Sequence, residues 1–501
     1  MKVLVLNPPF LPRFSRESRS PAVAKSGTLY YPMWLAYAVG YMEKQGHDVL
    51  LLDAPAAGLS LKQVIDRAAE FGPSMAVIDT STPSVYSDIE TAASLKARMP
   101  GLFTVAVGVH VSALPTETLE IDARLDAVAF GEYDATVGEL AERLGHGERD
   151  EVLAGIKGLT YRTSDGSVVS NEARPYLESL DELPFVSSVY HKHLDIQPYF
   201  YGHSRHPLIV LVTGRGCPFR CTYCVVPQTL MGHRYRRRSI ENVVAEFVYI
   251  RDHFPQVREI MIEDDTLTAD KKRCRALAQA LIDAGATTIP WSANARADVD
   301  LETMRLMKKA NCRLFCVGFE SGDQRILDNI RKATNIDTIR RFTADARRAG
   351  ILIHGCFMVG NRGETRETLH KTLAFAKKLN PDTAQFYPIM VYPGTEDYNY
   401  FRDKGWIVSE NYREWLTDDG LHSSVVSNPD LTYEELVRFC ARARREFYLR
   451  PRYLLHKAWQ TIRHPSEAGR NFKAFGTFWR YLFRPSRQGS PRNGTTVPGS
   501  T

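Results

Sequence analysis

The chain has 501 residues, 44% of them apolar and 24% charged, with a net charge of +6. That length exceeds what one hydrophobic core supports and predicts two or three domains. The ordinary composition, with no uninterrupted run of about eighteen apolar residues, excludes a fibrous or largely disordered chain and predicts no membrane span.

The chain is expected in the cytoplasm, because its start, MKVLVLNPPF, lacks the zones of a secretory signal. Its eight cysteines then read as ligands, nucleophiles or core residues, not as a disulfide framework. Positive charge is crowded between 438 and 492, and the rest of the chain is on balance acidic. A nucleic-acid enzyme would spread that charge along a binding face, so nucleic acid is not the expected partner.

Over 1–147, short apolar runs alternate with helical patterns. KVLVLN (2–7), HDVLLLD (47–53), MAVIDT (75–80), FTVAVG (103–108) and LDAVAF (125–130) read as strands, with helices near 34–45, from 61, near 89–99 and around 137–144. Such alternation predicts βαβ units, a parallel sheet and a Rossmann-like domain that binds ligands beyond its strand carboxyl ends. The loops there are DAPAAG (53–58), STPS (81–84), GVHVS (108–112) and GEYD (131–134). A dinucleotide site is not expected, because NPPF follows the first strand where a G-x-G-x-x-G would stand.

Residues 159–184 read as a hairpin turning at Asp165-Gly166 and then a connector, which sets 148–200 as hairpin and linker. Over 201–405, PLIVLVTGRG, REIMIEDD, TIPWSANAR, RLFCVGFE, ILIHGCFMVGN and TAQFYPIMVYPG give six further strands. They predict a partial (β/α)6 barrel with functional groups at the strand carboxyl ends. Residues 406–485 read as a helical, basic region, and 486–501 as a disordered tail. The fold class is therefore α/β: a Rossmann-like domain, a partial barrel and a C-terminal helical extension.

The segment TGRGCPFRCTYC (213–224) places Cys217, Cys221 and Cys224 just after a strand as C-x3-C-x2-C. Three thiolates on one loop suit three irons of a 4Fe-4S cluster and leave the fourth iron open to chelate S-adenosylmethionine (SAM). A structural zinc would want a fourth Cys or His at related spacing, and His233 is the nearest candidate. Cys312 and Cys316 form a second C-x3-C, but Cys316 falls within a strand and reads as core.

With this triplet in place, the barrel half resembles the radical SAM superfamily, and the whole chain resembles its cobalamin-binding class. The resemblance implies that Tyr223, before the third cysteine, lies near the adenine, and that Glu263 or Asp264 of IEDD (262–265) binds the SAM amine. It further implies Arg296 of WSANAR for the SAM carboxylate and Glu320 of GFESG for the ribose. Gly360 opens GNRGET (360–365), which resembles the family's G-x-P-G-E element with Arg362 in place of proline.

Cobalamin domains often carry D-x-H-x-x-G after the second strand, where the His ligates cobalt. Here Asp53, Pro55 and Gly58 stand in that frame, so bound cobalamin would lack a protein His ligand. The other residues implied at the cobalamin site are Ser81, Thr82, Ser84, Gly108, Val109, His110, Gly131 and Glu132. The implied cofactors are a 4Fe-4S cluster, SAM and cobalamin.

The expected reaction is methylation of an unactivated carbon in a natural-product, saccharide or lipid-linked intermediate, driven by an electron donor such as flavodoxin or ferredoxin. The alternative is oxidative cyclisation or ring contraction without methyl transfer, since DAPAAG and STPS resemble the hopanoid-pathway branch. The basic, aromatic-rich stretch 447–487 reads as a helical cap on the barrel, and also as a surface that would suit peripheral membrane contact.

Overall fold

A computed structural model describes residues 1–24 and 26–463; the remainder of the basic region and the expected tail at 486–501 lie outside the described residues. The first five strands are β1 (Lys2–Asn7), β2 (Asp48–Asp53), β3 (Met75–Thr80), β4 (Phe103–Gly108) and β5 (Ala127–Ala129). They run parallel in the order β2-β1-β3-β4-β5. Helices α1 (Met33–Lys44), α2 (Leu61–Phe71), α3 (Val85–Arg98) and α4 (Asp134–Arg143) cover the two faces.

Strand side chains alternate between faces. Val3 and Val5 of β1 therefore join the core under α1 and α4, while Leu4 and Leu6 join the one under α2 and α3. Burial on both sides is why these strands read as unbroken apolar runs.

The hairpin forms where expected, as β6 (Leu159–Arg162) and β7 (Val168–Ser170), with Gly166 at φ +89° in its turn. It is not a free-standing connector, however. It pairs antiparallel with β5 and extends the first sheet to seven strands, because Leu159 and Tyr161 are buried in the same core.

The second sheet holds the six expected strands in chain order, all parallel: β8 (Leu208–Leu211), β9 (Glu259–Ile262), β10 (Trp291–Ala295), β11 (Cys312–Glu320), β12 (Leu352–Val359) and β13 (Thr383–Pro388). β8 and β13 do not pair, so two edges stay open with unpaired backbone groups. Tyrosines from elsewhere satisfy some of them. At β8, Tyr31 donates its hydroxyl to the Leu208 carbonyl at 2.7 Å, and the Tyr37 hydroxyl accepts from Val212 N at 3.3 Å.

At β13, helix α5 (Tyr433–Tyr448), started by a Thr432/Glu435 capping box, brings the Tyr448 hydroxyl 2.8 Å from both N and O of Ala384. Residues 14–24 and 26–31, between β1 and α1, lie against the opening. Leu29 bridges to Phe200, and Ser20 Oγ lies 3.1 Å from the Tyr392 hydroxyl. Helix α6 (Pro451–Arg463) follows. Among the described residues no helix is long and apolar enough to cross a membrane.

Candidate active site in the barrel lumen

The chain leaves β8 through Gly216 (φ +83°), where a Cβ would fall 2.4 Å from the Arg234 carbonyl, so only glycine makes the turn into the cysteine loop. Cys217, Cys221 and Cys224 follow as unpaired, partly buried thiols on the wall of a barrel cavity of about 1630 Å³. Gln228 Nε2 donates to the carbonyls of Cys221, Thr222 and Cys224 at 3.4, 3.3 and 2.9 Å. His233 Nδ1 sits 3.2 and 3.1 Å from the carbonyls of Cys217 and Phe219. His233 therefore braces the loop through Nδ1.

Burial pushes the Cys217 thiol up to about 11 and the Cys224 thiol well above its ordinary value. Burial thus favours the protonated thiols, and metal binding would displace those protons to solvent. Three soft donors gathered on one cavity wall fit a cluster that needs three cysteines.

Strand alternation turns Cys316, Gly318 and Glu320 of β11 into the lumen, beside His354, Cys356 and Met358 of β12 and Thr383, Gln385 and Tyr387 of β13. Glu320 is left-handed (φ +60°) at a register shift against β12, the kind of strain found at functional sites. Its carboxylate accepts from Tyr223 Oη at 3.0 Å, Lys332 Nζ at 2.8 Å and Tyr387 Oη at 3.2 Å. A Cβ on Gly318 would stand 2.2 Å from Glu320 Oε1, so the glycine leaves room for that carboxylate to fold back. Burial, then the Glu320 charge, pushes the Tyr223 and Tyr387 phenols up, which keeps both as donors.

Glu263 Oε2 and Asp265 Oδ2 are buried on the cavity wall without a hydrogen-bond partner. Their one cationic neighbour among the described ion pairs is Arg19 of the first domain, 3.8 and 3.6 Å away. Two acids against one guanidinium leave an acceptor for a cationic amine such as that of SAM.

Asp264 departs from its expected role. Its carboxylate accepts from Thr213 N, Thr213 Oγ1 and Tyr235 Oη at 2.6, 2.7 and 2.8 Å, outside the lumen, and so pins the end of β8. Gly360 also lies off the cavity. Its φ of +91° makes a turn in which its N–H donates to Glu364 at 2.6 Å and Leu436 packs against its Cα.

Arg296 lines the cavity with its guanidinium 3.5 Å above the Phe219 ring, donating to the carbonyls of Lys332 and Ala333. Cys312 is buried in the core, but Cys316, expected there, faces the lumen. Asp265, Arg19, Lys332 and Tyr387 were not singled out in the sequence. Asp265 could have been, since it is two residues from Glu263 and alternation places them together.

None of the eleven residues expected at the cobalamin site lines the barrel cavity. Asp53 caps the short helix Ala54–Ala57 through Ala56 N, and accepts from Asn7 Nδ2 at 2.9 Å and Tyr199 Oη at 2.7 Å. Pro55 occupies the first turn and Gly58 closes it at φ +65°. Ser81 and Ser84 share a 2.7 Å hydroxyl contact, and Ser84 donates to Asp88 at 2.6 Å.

Thr82 Oγ1 lies 3.2 Å from His110 Nδ1, and burial lowers the His110 pKa to about 3, so the ring stays neutral. Gly108 must be glycine, since a Cβ would meet the Thr80 carbonyl at 2.5 Å; Val109 follows it, and the Gly131 amide donates to Ser112. The hydroxyls of Ser81, Thr82 and Ser84 and the neutral imidazole are buried at the carboxyl ends of the first-sheet strands. Pro55 supplies no cobalt ligand, and Tyr412 roofs the loops, its ring edge-on to His110 at 5.0 Å. Asp79 Oδ2, at the end of β3, is buried without a partner.

Glu132 has a different task from the one expected. Its two oxygens meet Arg215 at 2.8 Å and Arg236 at 2.7 Å, and Arg215, fully buried, also reaches Asp134 at 2.6 Å and lies over the Trp34 and Tyr37 rings. The ion pairs lock the first domain to the cysteine loop.

A family model described as the Radical SAM superfamily matches residues 211–376, and one described as the B12 binding domain matches 19–141. An uncharacterized methyltransferase of Pyrococcus horikoshii is 32% identical over 461 residues, covering 91% of this chain and 94% of its own. The cytidylyl-2-hydroxyethylphosphonate methyltransferase of Streptomyces wedmorensis is 27% identical over 476 residues, 84% of this chain and 86% of its own. An anaerobic magnesium-protoporphyrin IX monomethyl ester cyclase of Rubrivivax gelatinosus is 28% identical over 380 residues, 74% and 66% of the two chains. Among solved structures, the radical SAM methyltransferase TsrM of Kitasatospora setae has the same fold, with TM-score 0.69 at 17% identity over 88% of this chain and 90% of that one.

Proposed function

The chain belongs to the cobalamin-dependent radical SAM enzymes, and from that premise we propose that it methylates an unactivated carbon of a small biosynthetic intermediate: a natural product, a saccharide or a lipid-linked precursor. The observation that carries this reading is the lumen. One cavity of about 1630 Å³ holds the cysteine triplet, the Glu320 cluster and, on its wall, Glu263 and Asp265, each with one oxygen lacking a hydrogen bond. That exceeds the roughly 300–1,000 Å³ of an ordinary ligand pocket, so SAM and a substrate fit together. The methyltransferase names of two relatives that match most of the chain support the same reaction.

When bound, the three cofactors supply one-electron cleavage of SAM, abstraction of a hydrogen atom and a methyl donor. The residues supply the rest. Cys217, Cys221 and Cys224 would hold three irons, with Gln228 and His233 fixing the loop backbone. Glu263 and Asp265 accept an ammonium group, Arg296 pairs with a carboxylate, and Glu320, oriented by Tyr223, Lys332 and Tyr387, accepts from ribose hydroxyls. Ser18, Arg19, Ser20 and Tyr30, with Val437, Cys440 and Arg444 of α5, line the same cavity. The strand-end loops carrying Ser81, Thr82, Ser84, Gly108 and Gly131 would hold the corrin, and Pro55 would offer it no metal-ligating side chain. The electron donor is of the flavodoxin or ferredoxin type.

The similarity to the magnesium-protoporphyrin cyclase favours a second reading, cyclisation without methyl transfer. Isotopically labelled SAM methyl separates the two on anaerobically reconstituted enzyme. Label in the product supports methyl transfer, whereas turnover with unlabelled product overturns it.

A further inference from the structure

Below the Glu320 cluster, the lumen carries a second group of metal-ligating side chains that the radical chemistry leaves unused. Cys316, His354 and Cys356 present ligand atoms that all lie within 4.8 Å of one another. We propose that Cys316, His354 and Cys356 form a mononuclear zinc site inside the barrel, with a fourth coordination position open to the substrate cavity.

The backbone sets the group out. Cys316 of β11 is in register with His354 of β12, and Gly318 with Cys356, so the three side chains occupy neighbouring positions on one face of two parallel strands. The sulfurs are 4.0 Å apart. Two Zn–S bonds of about 2.3 Å at a tetrahedral angle put two sulfurs about 3.8 Å apart, so the pair needs only a small contraction.

The imidazole is oriented from two sides. Thr383 Oγ1 lies 2.7 Å from His354 Nδ1, and the His203 ring stacks on it at 4.7 Å. A hydroxyl holding one ring nitrogen is the kind of outer contact that fixes a histidine ligand.

The chemistry selects the metal class. Two thiolates and an imidazole suit a borderline-soft cation such as zinc, and not magnesium or calcium, which take oxygen ligands. On binding, each thiol loses its proton to solvent and the dication meets two thiolates, giving a neutral centre that a half-buried site tolerates. All three residues line the cavity. A site with three protein ligands and one open position is of the catalytic type. That position would hold an oxygen or nitrogen donor of the substrate beneath the Glu320 layer. This last role rests on the methyl-transfer reading; metal binding does not.

The full-length chain, anaerobically reconstituted with iron, sulfide and cobalamin, is equilibrated with zinc chloride, passed over a weak chelator and assayed for metals. One zinc per chain beside roughly four cluster irons is expected. Zinc should persist in the Cys217→Ala/Cys221→Ala/Cys224→Ala variant and fall at least tenfold in Cys316→Ala/Cys356→Ala, with iron unchanged there.

Zinc that leaves with the triplet, or is equal with and without Cys316 and Cys356, overturns the proposal. Should the double variant lose its iron as well, the zinc absorption edge of the wild-type chain decides. Two sulfur neighbours at about 2.3 Å with lighter ones at about 2.0 Å support the site. No sulfur neighbours, or four, overturn it. Neither measurement depends on methyl transfer.

Discussion

Glu320 gathers Tyr223, Lys332 and Tyr387 around one carboxylate on a strained residue at a strand end. Glu320→Gln keeps the shape and removes the charge that those donors and a ribose would share. Charge-assisted hydrogen bonds contribute about 1.5–3 kcal/mol, so SAM should bind about ten- to a hundredfold more weakly to the reconstituted variant by anaerobic calorimetry. Unchanged affinity would remove Glu320 from the SAM site.

Glu364 carries a pH prediction. Burial pushes its carboxyl from 4.5 up to about 7, against hydrogen bonds from the Gly360 and Asn361 amides. A raised folded-state value means that the protonated group favours the folded state. Its contribution is therefore complete below about 4.5 and is lost as pH rises through about 7. Glu364→Gln should flatten the fall in urea-unfolding stability over that window, and an unchanged slope would contradict the assignment.

Among the elements, strands were legible and their faces were not. All eleven parallel strands stand where apolar runs end at turn signals, and the hairpin turns at Asp165-Gly166. A strand buried on both sides reads as continuous, however, so nothing local says which residues face a lumen. Cys316 was read as core for that reason, and Asp264 was preferred to Asp265. Glu132 was misassigned for a different one: its partner Arg215 is 83 residues further on, beyond any local pattern.

The open strand edges yield a prediction of their own. Tyr448→Phe keeps the ring against β13 and removes the hydroxyl that bonds both polar groups of Ala384. A buried backbone group left without a partner costs about 1–3 kcal/mol, so the midpoint of urea unfolding should fall accordingly, with amide exchange accelerating along β13. Loss of stability without faster exchange there would place the effect elsewhere.

At the scale of the whole molecule, Arg215 joins the two domains two residues before Cys217. Arg215→Met would leave Glu132 and Asp134 buried with less compensation. Removing one partner of a buried ion pair destabilises by about 3–5 kcal/mol. We expect a lower melting temperature together with reduced cluster content after reconstitution, read as iron per chain. A variant that melts early but retains full iron would separate the interface from the cluster loop.

The tyrosines at β8 have a consequence for heredity. Tyr31 and Tyr37 precede most of the first sheet in the chain, yet they finish the wall of the second. The joints of the molecule therefore do not follow its order of synthesis. A shuffled gene that takes its barrel from one relative and its first forty codons from another would inherit a mismatched seam, and productive crossovers should keep those two distant stretches from the same parent.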